Sequence, residues 1–389
     1  MGARAAEPQT DPDLSTENML QAGRIHLRPF LVLKDAGYDD NIRLESEPKE
    51  GDSTASTGAG LNTVILTGDR GGVHLFQELD YVAYGHNTDL NHWNGSARAR
   101  GVLLLKSLSL SLEDRYVSVQ ERPNQEIDER VRRENNAVTA AAQTLGTGRL
   151  AMHAFLRWEA IDYASVGNAF ADTARLNRDE TSLRVVGELS LLPKTTVTLE
   201  GAVERADFEN DDEGRDARMR SLLPGVRFDP SAAIQGELRA GPLSLTAREG
   251  PWSDFSGLVG DAHLSARAGR TARLKAAYWR DVEFSTTDDH LYYVTTNWTA
   301  AYEQFFSRSL SSEVLYGRGL NHYPAGVTDP NVLQVVRDDH LTTYEISVRY
   351  RPNQRMTLGL SLLHQARDST DDQRDRTRNL YSLGTTYSF

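Results

Sequence analysis

Apolar and polar side chains alternate along most of this chain, and this alternation restricts its fold more than any other feature. In the segment 150–159 the apolar positions are Leu150, Met152, Ala154, Leu156 and Trp158. The positions between them include His153, Arg157 and Glu159. Segments 25–34, 183–191, 197–204 and 356–362 follow the same rule. A period of two predicts β-strands, and helical spacing seldom persists for more than two turns.

The length of the alternating segments separates two kinds of β protein. A soluble sandwich also alternates, because one face of each strand is buried and the other meets water. Many segments here alternate over about 9–12 residues, which is the length that a tilted strand needs to cross a bilayer. Soluble strands are typically about 5–6 residues long. No run of 18 apolar residues occurs, so the sequence offers no transmembrane helix.

Short and long polar links between these segments also alternate. The short links are rich in Gly, Pro, Asn, Asp and Ser, which suit tight turns, and lie near 68–72, 106–107, 146–149, 192–195, 229–231, 268–270, 306–308 and 351–355. The longer links are mostly acidic and lie near 35–53, 85–95, 123–134, 165–178, 206–216, 286–289, 321–339 and 367–376. Outer-membrane barrels show this asymmetry between short periplasmic turns and long extracellular loops.

The end of the chain has the pattern of a final barrel strand. One face of this strand carries Tyr381, Leu383, Tyr387 and Phe389, with Phe389 as the carboxy-terminal residue. This ending resembles the signal by which the barrel-assembly machinery recognises its clients, so we interpret these four residues as a C-terminal assembly signal.

Together these features predict an all-β fold, a transmembrane antiparallel up-and-down β-barrel of about 18 strands, with 16 as the alternative count. We expect the barrel over residues 22–389 and a flexible periplasmic lead-in over residues 1–21. Two stretches leave the register open. Within 96–119 the pattern suggests a β-bulge, and within 240–255 Gly241 and Pro242 suggest an interrupted strand.

The composition narrows the compartment and the partners. The net charge of -12 argues against nucleic acid as a partner, and the absence of Cys excludes disulfides and thiolate chemistry. Ala3, Arg4 and Ala5 resemble the end of a secretory signal, which favours an exported, mature chain. We therefore expect an integral protein of the bacterial outer membrane, surrounded by outer-membrane lipid and lipopolysaccharide.

Motifs for catalysis, cofactors and metals are not found. There is no Gly-rich phosphate loop, no HExxH and no EF-hand spacing. The words Asp288-Asp289-His290 and Asp338-Asp339-His340 recur at two strand entrances, where junctions of similar chemistry explain them better than a catalytic dyad does. We therefore predict no catalytic, cofactor-binding or metal-binding residues.

Charged side chains fill the second face of many strands. On the lipid face each basic residue near the bilayer midplane would cost roughly 2–4 kcal/mol, so the alternation predicts that these side chains face the lumen. The predicted lumen-lining residues are Arg98, Arg100, Arg157, Glu159, Arg184, Glu188, Glu200, Glu204, Arg218, Arg220, Glu237, Arg239, Lys275, Glu345 and Arg349, together with Arg273 and Glu313. They predict either a salt-bridged interior or a hydrated pore, and a barrel of about 18 strands has room for both.

Several stretches resemble a known family. These are 27–33 with 37–41, the hairpin 189–200, the stretch 254–264, Tyr292 to Val294 and the ending 382–389. They resemble the outer-membrane β-barrel porin family associated with exopolysaccharide and capsule biosynthesis operons. The resemblance implies a conduit or assembly component for a secreted polysaccharide, working with a periplasmic polysaccharide export protein. The chain departs from the family pattern at 241–252, which puts the register there in doubt.

Three functions remain open on this basis. The leading hypothesis is a porin-like channel that exports a polysaccharide, and it depends on the resemblance. The alternative is a general or substrate-selective diffusion porin for small solutes. A barrel enzyme is the least favoured, because no spacing of Ser and His residues singles out a catalytic pair.

Overall fold

A computed structural model describes residues 14–389 except 18, 47, 122–129, 146–147, 165–175, 210–213, 230, 287–289 and 325–335. In these residues nineteen strands form one antiparallel sheet. The strands are β1 Leu20–Ala22, β2 Ile25–Asp39, β3 Asp52–Leu66, β4 Gly71–Tyr84, β5 His92–Leu104, β6 Leu108–Glu121, β7 Val131–Thr144, β8 Leu150–Ala164, β9 Arg178–Leu192, β10 Thr195–Phe208, β11 Ala217–Phe228, β12 Ile234–Ala247, β13 Phe255–Arg267, β14 Ala272–Phe284, β15 Tyr292–Phe305, β16 Leu310–Tyr323, β17 Arg337–Tyr350, β18 Met356–Ser369 and β19 Arg376–Ser388. Two short 3₁₀ helices lie at Thr88–Leu90 and Asp372–Arg374.

The sheet closes on itself through its last and first long strands. From β2 to β19 each strand pairs with the next one along the chain, and β19 then pairs with β2, from Leu380 opposite Asp39 to Ser388 opposite Phe30. The short β1 continues this edge of β2, with Leu20 opposite Leu27. The described chain is therefore a closed 18-stranded barrel with one extra short strand, which confirms the predicted fold class and strand count.

The outer face carries exposed apolar side chains all around the barrel. On different strands they include Leu31, Leu79, Leu156, Leu199, Leu258, Ile346 and Leu360. Outward aromatic rings form a chain of contacts across three strands, from Trp298 to Tyr316 at 5.1 Å and from Tyr316 to Tyr344 at 5.0 Å between ring centroids. Such a face suits lipid, with rings at the depth of the headgroups.

In the described residues, no helix is both long and apolar enough to span a bilayer.

The links between the long strands differ in length at the two ends of the barrel. The short links are 67–70, 105–107, 145–149, 193–194, 229–233, 268–271, 306–309 and 351–355. The links at the other end are 40–51, 85–91, 122–130, 165–177, 209–216, 248–254, 285–291, 324–336 and 370–375. The predicted alternation is confirmed, with 248–254 as an additional loop that the sequence did not indicate.

The predicted β-bulge within 96–119 is wrong. The ladder between β5 and β6 runs without a shift from Gly95 opposite Ser118 to Leu104 opposite Ser109. Register shifts lie elsewhere, between Lys34 and Gly37 and between Thr195 and Thr196. At the first of these shifts Asp35 adopts a positive φ of 47°, which accommodates the extra residue of β2.

The expected interruption within 240–255 is absent from β12 itself. This strand continues through Gly241 and Pro242, and its ladder to β13 is complete. Its ladder to β11 skips from Ser221 opposite Leu243 to Gly225 opposite Arg239, across a stretch that contains Pro224 and Pro242. Since proline has no amide hydrogen to donate, one proline on each strand accounts for the gap.

The buried apolar core lies off the barrel axis, against the inner face of β11–β13. Its fully or nearly fully buried members are Ala217, Leu223, Leu243, Leu245, Trp252, Val259, Val282, Leu291, Tyr292 and Val294. Next to this cluster both faces of β11–β13 thus carry apolar side chains, such as Leu222 towards lipid and Leu223 towards the cluster. That double pattern explains why simple alternation did not define the stretch 240–255.

Candidate functional site on the inner face

Cross-strand pairing decides which side chains point into the barrel, because directly opposed residues of an antiparallel ladder share a face. Glu200 is opposite Leu223 of the buried cluster, whereas its neighbour Leu199 is exposed on the outside. Extending this rule from strand to strand puts most of the predicted lumen residues on the inner face. They are Arg98, Arg100, Arg157, Glu159, Arg184, Glu188, Glu200, Glu204, Glu237, Arg239, Arg273, Lys275, Glu313, Glu345 and Arg349.

Arg218 and Arg220 lie on the other face, contrary to the prediction. Arg220 is opposite the exposed Val203, and Arg218 is opposite Arg205. Both side chains are exposed and share the outer face of β11 with Leu222. The sequence pattern predicted the period of two in β11 correctly, but it predicted the wrong orientation of the strand. The reason is that the inner face of β11 is itself apolar at Met219 and Leu223.

Ion pairs cross the strands on the β2–β6 side of the interior. Lys34 of β2 contacts two carboxylates of β4, Glu78 and, at 2.9 Å, Asp80. Arg98 donates to Nδ1 of His74 at 2.8 Å. Glu113 lies 3.9–4.0 Å from the guanidinium groups of Arg98 and Arg100. Because these groups keep partial contact with water, we expect about 0.2–1 kcal/mol from each pair, so they shape the lumen more than they stabilise it.

A second network crosses β8–β13. Glu188 accepts two hydrogen bonds from Arg227 at 2.7 and 2.5 Å and lies 3.4 Å from His153. Glu200 is 2.5 Å from Arg239 and 3.8 Å from Arg184. Two parallel bonds between a guanidinium and a carboxylate fix both groups in one plane.

The same pattern continues around the wall. Arg239 is also 2.6 Å from Asp261 of β13. Lys275 of β14 bridges Glu303 at 3.0 Å and Glu313 at 2.5 Å. Positive and negative groups are therefore interleaved over the inner face, not segregated on opposite walls.

Some inner-face charges have no such partner. Glu204, Glu237, Glu345 and Arg349 have no oppositely charged group within 4.0 Å among the described residues, whereas most of the others do. Sequence reasoning also missed several members of the networks, namely Lys34, Glu78, Asp80, Arg227, Asp261 and Glu303. Their alternation with apolar neighbours was a signal that could have found them.

At the end of the barrel that carries the long loops, β14 and β15 depart from the barrel wall. The ladder between β13 and β14 ends at Gly260 opposite Arg280, although β14 continues to Phe284 and pairs with β15 up to Tyr292. Residues 281–284 therefore have no partner on β13. Val282, Tyr292 and Val294 instead bury their side chains against inner-face residues of β11–β13. We call residues 281–286 and 290–294 the inward hairpin.

Ring contacts show how far the inward hairpin reaches. Strands spaced about 4.8 Å apart and tilted about 40° close an 18-stranded barrel about 36 Å across, which puts strands four apart about 23 Å from each other. Phe208 of β10 and Phe284 of β14 are four strands apart, yet their ring centroids are 5.5 Å apart in an edge-to-face contact. The hairpin must therefore lean into the interior, narrowing it on the side of the long loops.

Two arginines hold this contact. The guanidinium carbon of Arg178 lies 5.7 Å from the Phe208 ring and 5.5 Å from the Phe284 ring. Arg215, which is fully buried, lies 5.3 Å from Phe208 and 5.9 Å from Trp252 and donates a hydrogen bond to the carbonyl of Ser285. Cations over aromatic faces gain more when water is excluded, so this cluster fixes the hairpin to the wall.

Two polar cavities of similar size lie on the inner face of the described residues. One, of about 350 Å³, lies beside Lys34, Glu78, Asp80 and Arg378. The other, of about 340 Å³, lies between Glu204, Arg184 and Arg239 of the wall and Asp281 of the inward hairpin. Volumes of this order accommodate small ligands.

The remaining predictions concern metals and the carboxy terminus. The described residues contain no group of three or more His, Asp or Glu side chains that could hold a metal ion. Tyr381, Leu383, Tyr387 and Phe389 are all exposed, and the first three lie on the outer face of β19. Their role as an assembly signal stays a prediction, as do the partners named above.

Solved structures share the architecture at low sequence identity. OccK2 (OpdF) of Pseudomonas aeruginosa in complex with glucuronate has a TM-score of 0.54 and 14% identity, covering 93% of this chain and 98% of that chain. OccK3 (OpdO) of P. aeruginosa has a TM-score of 0.51 and 12% identity, covering 93% and 95%. A BenF-like porin from Pseudomonas fluorescens Pf-5 has a TM-score of 0.51 and 11% identity, covering 94% and 99%. These likenesses support the fold alone.

Sequence comparison identifies the family. No curated protein matches the chain. The family model described as putative beta-barrel porin 2 matches residues 20–389, which is the whole of the barrel with its extra strand. The chain is thus an integral outer-membrane, porin-like β-barrel that belongs to the putative beta-barrel porin 2 family.

Proposed function

We propose that this chain is a selective diffusion porin for small polar solutes. The observation that carries the proposal is the inward hairpin, which leans across the interior far enough for Phe284 to contact Phe208. A duct for a continuous polymer needs an unobstructed bore, whereas a constriction beside polar cavities of about 340–350 Å³ suits a small molecule.

The chemistry of the inner face supports a polar cargo. Interleaved carboxylates and guanidinium groups offer acceptors and donors within a few ångströms of each other, as at Glu188 with Arg227 and at Glu200 with Arg239. A hydroxyl-rich or carboxylate-bearing solute exchanges its hydration for such groups along its path. The OccK2 (OpdF) structure with glucuronate shows a fold relative that binds a solute of this size.

Polysaccharide export, which the family resemblance implied, finds no support in these relatives. The operon association and the periplasmic export partner remain predictions. A channel also accounts for the interleaved charges of the inner face better than an enzyme does.

Proteoliposome swelling tests the proposal directly. We expect uptake of monosaccharides and of glucuronate, with a steep fall in rate as neutral oligosaccharides lengthen. Single-channel recordings are expected to show a stable conductance that these solutes reduce transiently. Equal permeation of long glucans and monosaccharides would contradict the proposal, as would a barrel that conducts nothing.

A further inference from the structure

The outer face of β10–β12 changes from apolar to basic within a few residues. Leu199 and Val203 of β10 and Leu222 of β11 are exposed towards lipid. Further towards the long loops than Leu199 and Leu222, the same face presents Arg205, Arg218 and Arg220, all exposed, with Arg220 at the level of Val203. This boundary marks the upper edge of the apolar belt, where a cationic side chain costs about 0–1 kcal/mol instead of the midplane penalty.

The arrangement of these arginines is unfavourable in the absence of an anion. Arg205 and Arg218 are directly opposite each other in the β10–β11 ladder, and like charges in that position repel. Arg220 is two residues further along the same face of β11, opposite Val203. Three guanidinium groups thus share one small area of the surface.

Carboxylates nearby neutralise only part of this charge. Asp207 lies 2.5 Å from Arg205 and 3.2 Å from Arg248, and Arg248 also contacts Asp216 at 3.2 Å. Arg218 and Arg220 have no carboxylate within 4.0 Å among the described residues. Among the described residues, Asp207 and Asp216 are therefore already engaged with Arg205 and Arg248.

The depth of the cluster indicates the kind of anion. Arg220 stands between Arg218 and the exposed Leu222, so an anion held by both arginines lies directly above the apolar belt. Headgroups of the outer leaflet occupy this depth. Guanidinium groups bind phosphate through paired hydrogen bonds, and neighbouring apolar side chains such as Leu258, which is 69% exposed, can receive acyl chains.

We propose that Arg218 and Arg220, with Arg205, bind the phosphate of a phosphorylated glycolipid in the outer leaflet. This site is on the outside of the barrel and does not depend on what passes through the lumen. The lipid would offset the repulsion between Arg205 and Arg218 and hold the β10–β11 hairpin at a fixed depth in the membrane.

Lipid titration of the purified full chain in detergent tests the site, with diphosphoryl lipid A as the probe. We expect the double variant R218Q/R220Q to raise the Kd for lipid A by roughly tenfold or more. The matched control is R351Q/R355Q, which removes the same charge from an exposed periplasmic turn and is expected to stay within roughly twofold of the parent chain. Heat-dependent electrophoretic mobility confirms that each variant is folded.

Three further outcomes decide the result. Inorganic phosphate at millimolar concentration is expected to leave lipid A bound, and its displacement of the lipid would mean a free-phosphate site and overturn the proposal. Equal losses in R218Q/R220Q and R351Q/R355Q would reduce the effect to net charge and also overturn it. If R218Q/R220Q does not fold, the test uses R218K/R220K. Lysine keeps the charge but cannot form the paired hydrogen bonds of a guanidinium group. Unchanged affinity for lipid A in this variant would contradict the proposal.

Discussion

Two strand junctions on the side of the long loops behave differently. Between β16 and β17 the ladder is complete, from Leu310 opposite Tyr350 to Tyr323 opposite Arg337. Between β13 and β14 it stops at Gly260 opposite Arg280, and the strand ends beyond this point separate. Where the ladder is complete the strand ends stay in the wall, and where it stops they fold inwards. The length of one ladder therefore sets the width of the interior on that side.

The two junctions also differ in the interactions that hold their strand ends in place. At the complete junction the backbone ladder continues to the strand ends, where Arg337 also lies over the Tyr323 ring at 3.6 Å. At the short one, side chains replace the backbone ladder: an apolar cluster that includes Val259 and Val282, and the buried Arg215 donating to Ser285. We therefore expect the inward hairpin to be more sensitive to single side chains than a junction with a complete ladder.

The largest effect is expected from removing the contact between the rings of Phe208 and Phe284. We expect the double variant F208A/F284A to raise single-channel conductance by roughly twofold or more, because the aromatic constriction is lost. The control is F30A/F76A, which removes a stacked pair with centroids 6.0 Å apart from the inner face of the regular β2–β4 wall. A conductance that changes equally in both variants would contradict the inward hairpin as the narrow point.

Loss of the buried guanidinium should come next. Arg215→Gln removes the charged donor to the Ser285 carbonyl and the contact over Phe208, for an expected destabilisation of about 2 kcal/mol. We expect a lower Tm and noisier open-channel current, since the hairpin is less firmly held. The exposed Arg205→Gln serves as control, and the same noise in that variant would show that Arg215 has no special role.

Breaking one lumen ion pair should have a moderate effect. In Glu188→Gln the Arg227 guanidinium loses its partner, so we expect a shift of the reversal potential towards anions and a stability loss of about 1 kcal/mol. Glu345→Gln removes a carboxylate that has no ion-pair partner among the described residues. It should shift selectivity without a loss of Tm, and equal losses in both variants would argue against the network.

The smallest effect is expected from pH at the first long loop. Hydrogen bonds from Arg43 and Asn87 hold the pKa of Glu50 below that of an exposed glutamate. Because the pKa of Glu50 is lowered in the folded state, the contact stabilises the fold at pH values above the unfolded-state pKa. This stabilisation is lost as the pH falls through the folded-state pKa. A carboxyl titration followed by NMR should show this depression in the parent chain and its loss in Arg43→Gln. An unshifted pKa of Glu50 in the parent chain would contradict this contact.

The regular wall was predictable from the sequence because two physical signals coincide there. Alternation fixes the faces of β8, where Leu156 is outward and Arg157 inward, and turn residues mark the short links. The strand count and the link alternation follow from these local patterns.

The narrow side was not predictable for an equally physical reason. Alternation tells a strand's two faces apart only when they meet different environments. The inner face of β11–β13 is apolar where the inward hairpin packs on it, so Leu243 and Leu245 carry the same signal as residues that meet lipid. Arg218 and Arg220 were misplaced because alternation does not show where the apolar belt ends along a strand.

A disulfide placed across the proposed constriction tests the central claim most directly. The chain has no cysteine, so the double variant F208C/F284C offers only the one pair. We predict that it cross-links under mild oxidation in the folded barrel and that reduction changes the conductance reversibly. If the hairpin stood upright in the wall, the two positions would be about 23 Å apart, too far for a disulfide. A folded barrel that cross-links neither by oxidation nor with a short bifunctional thiol reagent would therefore contradict the account.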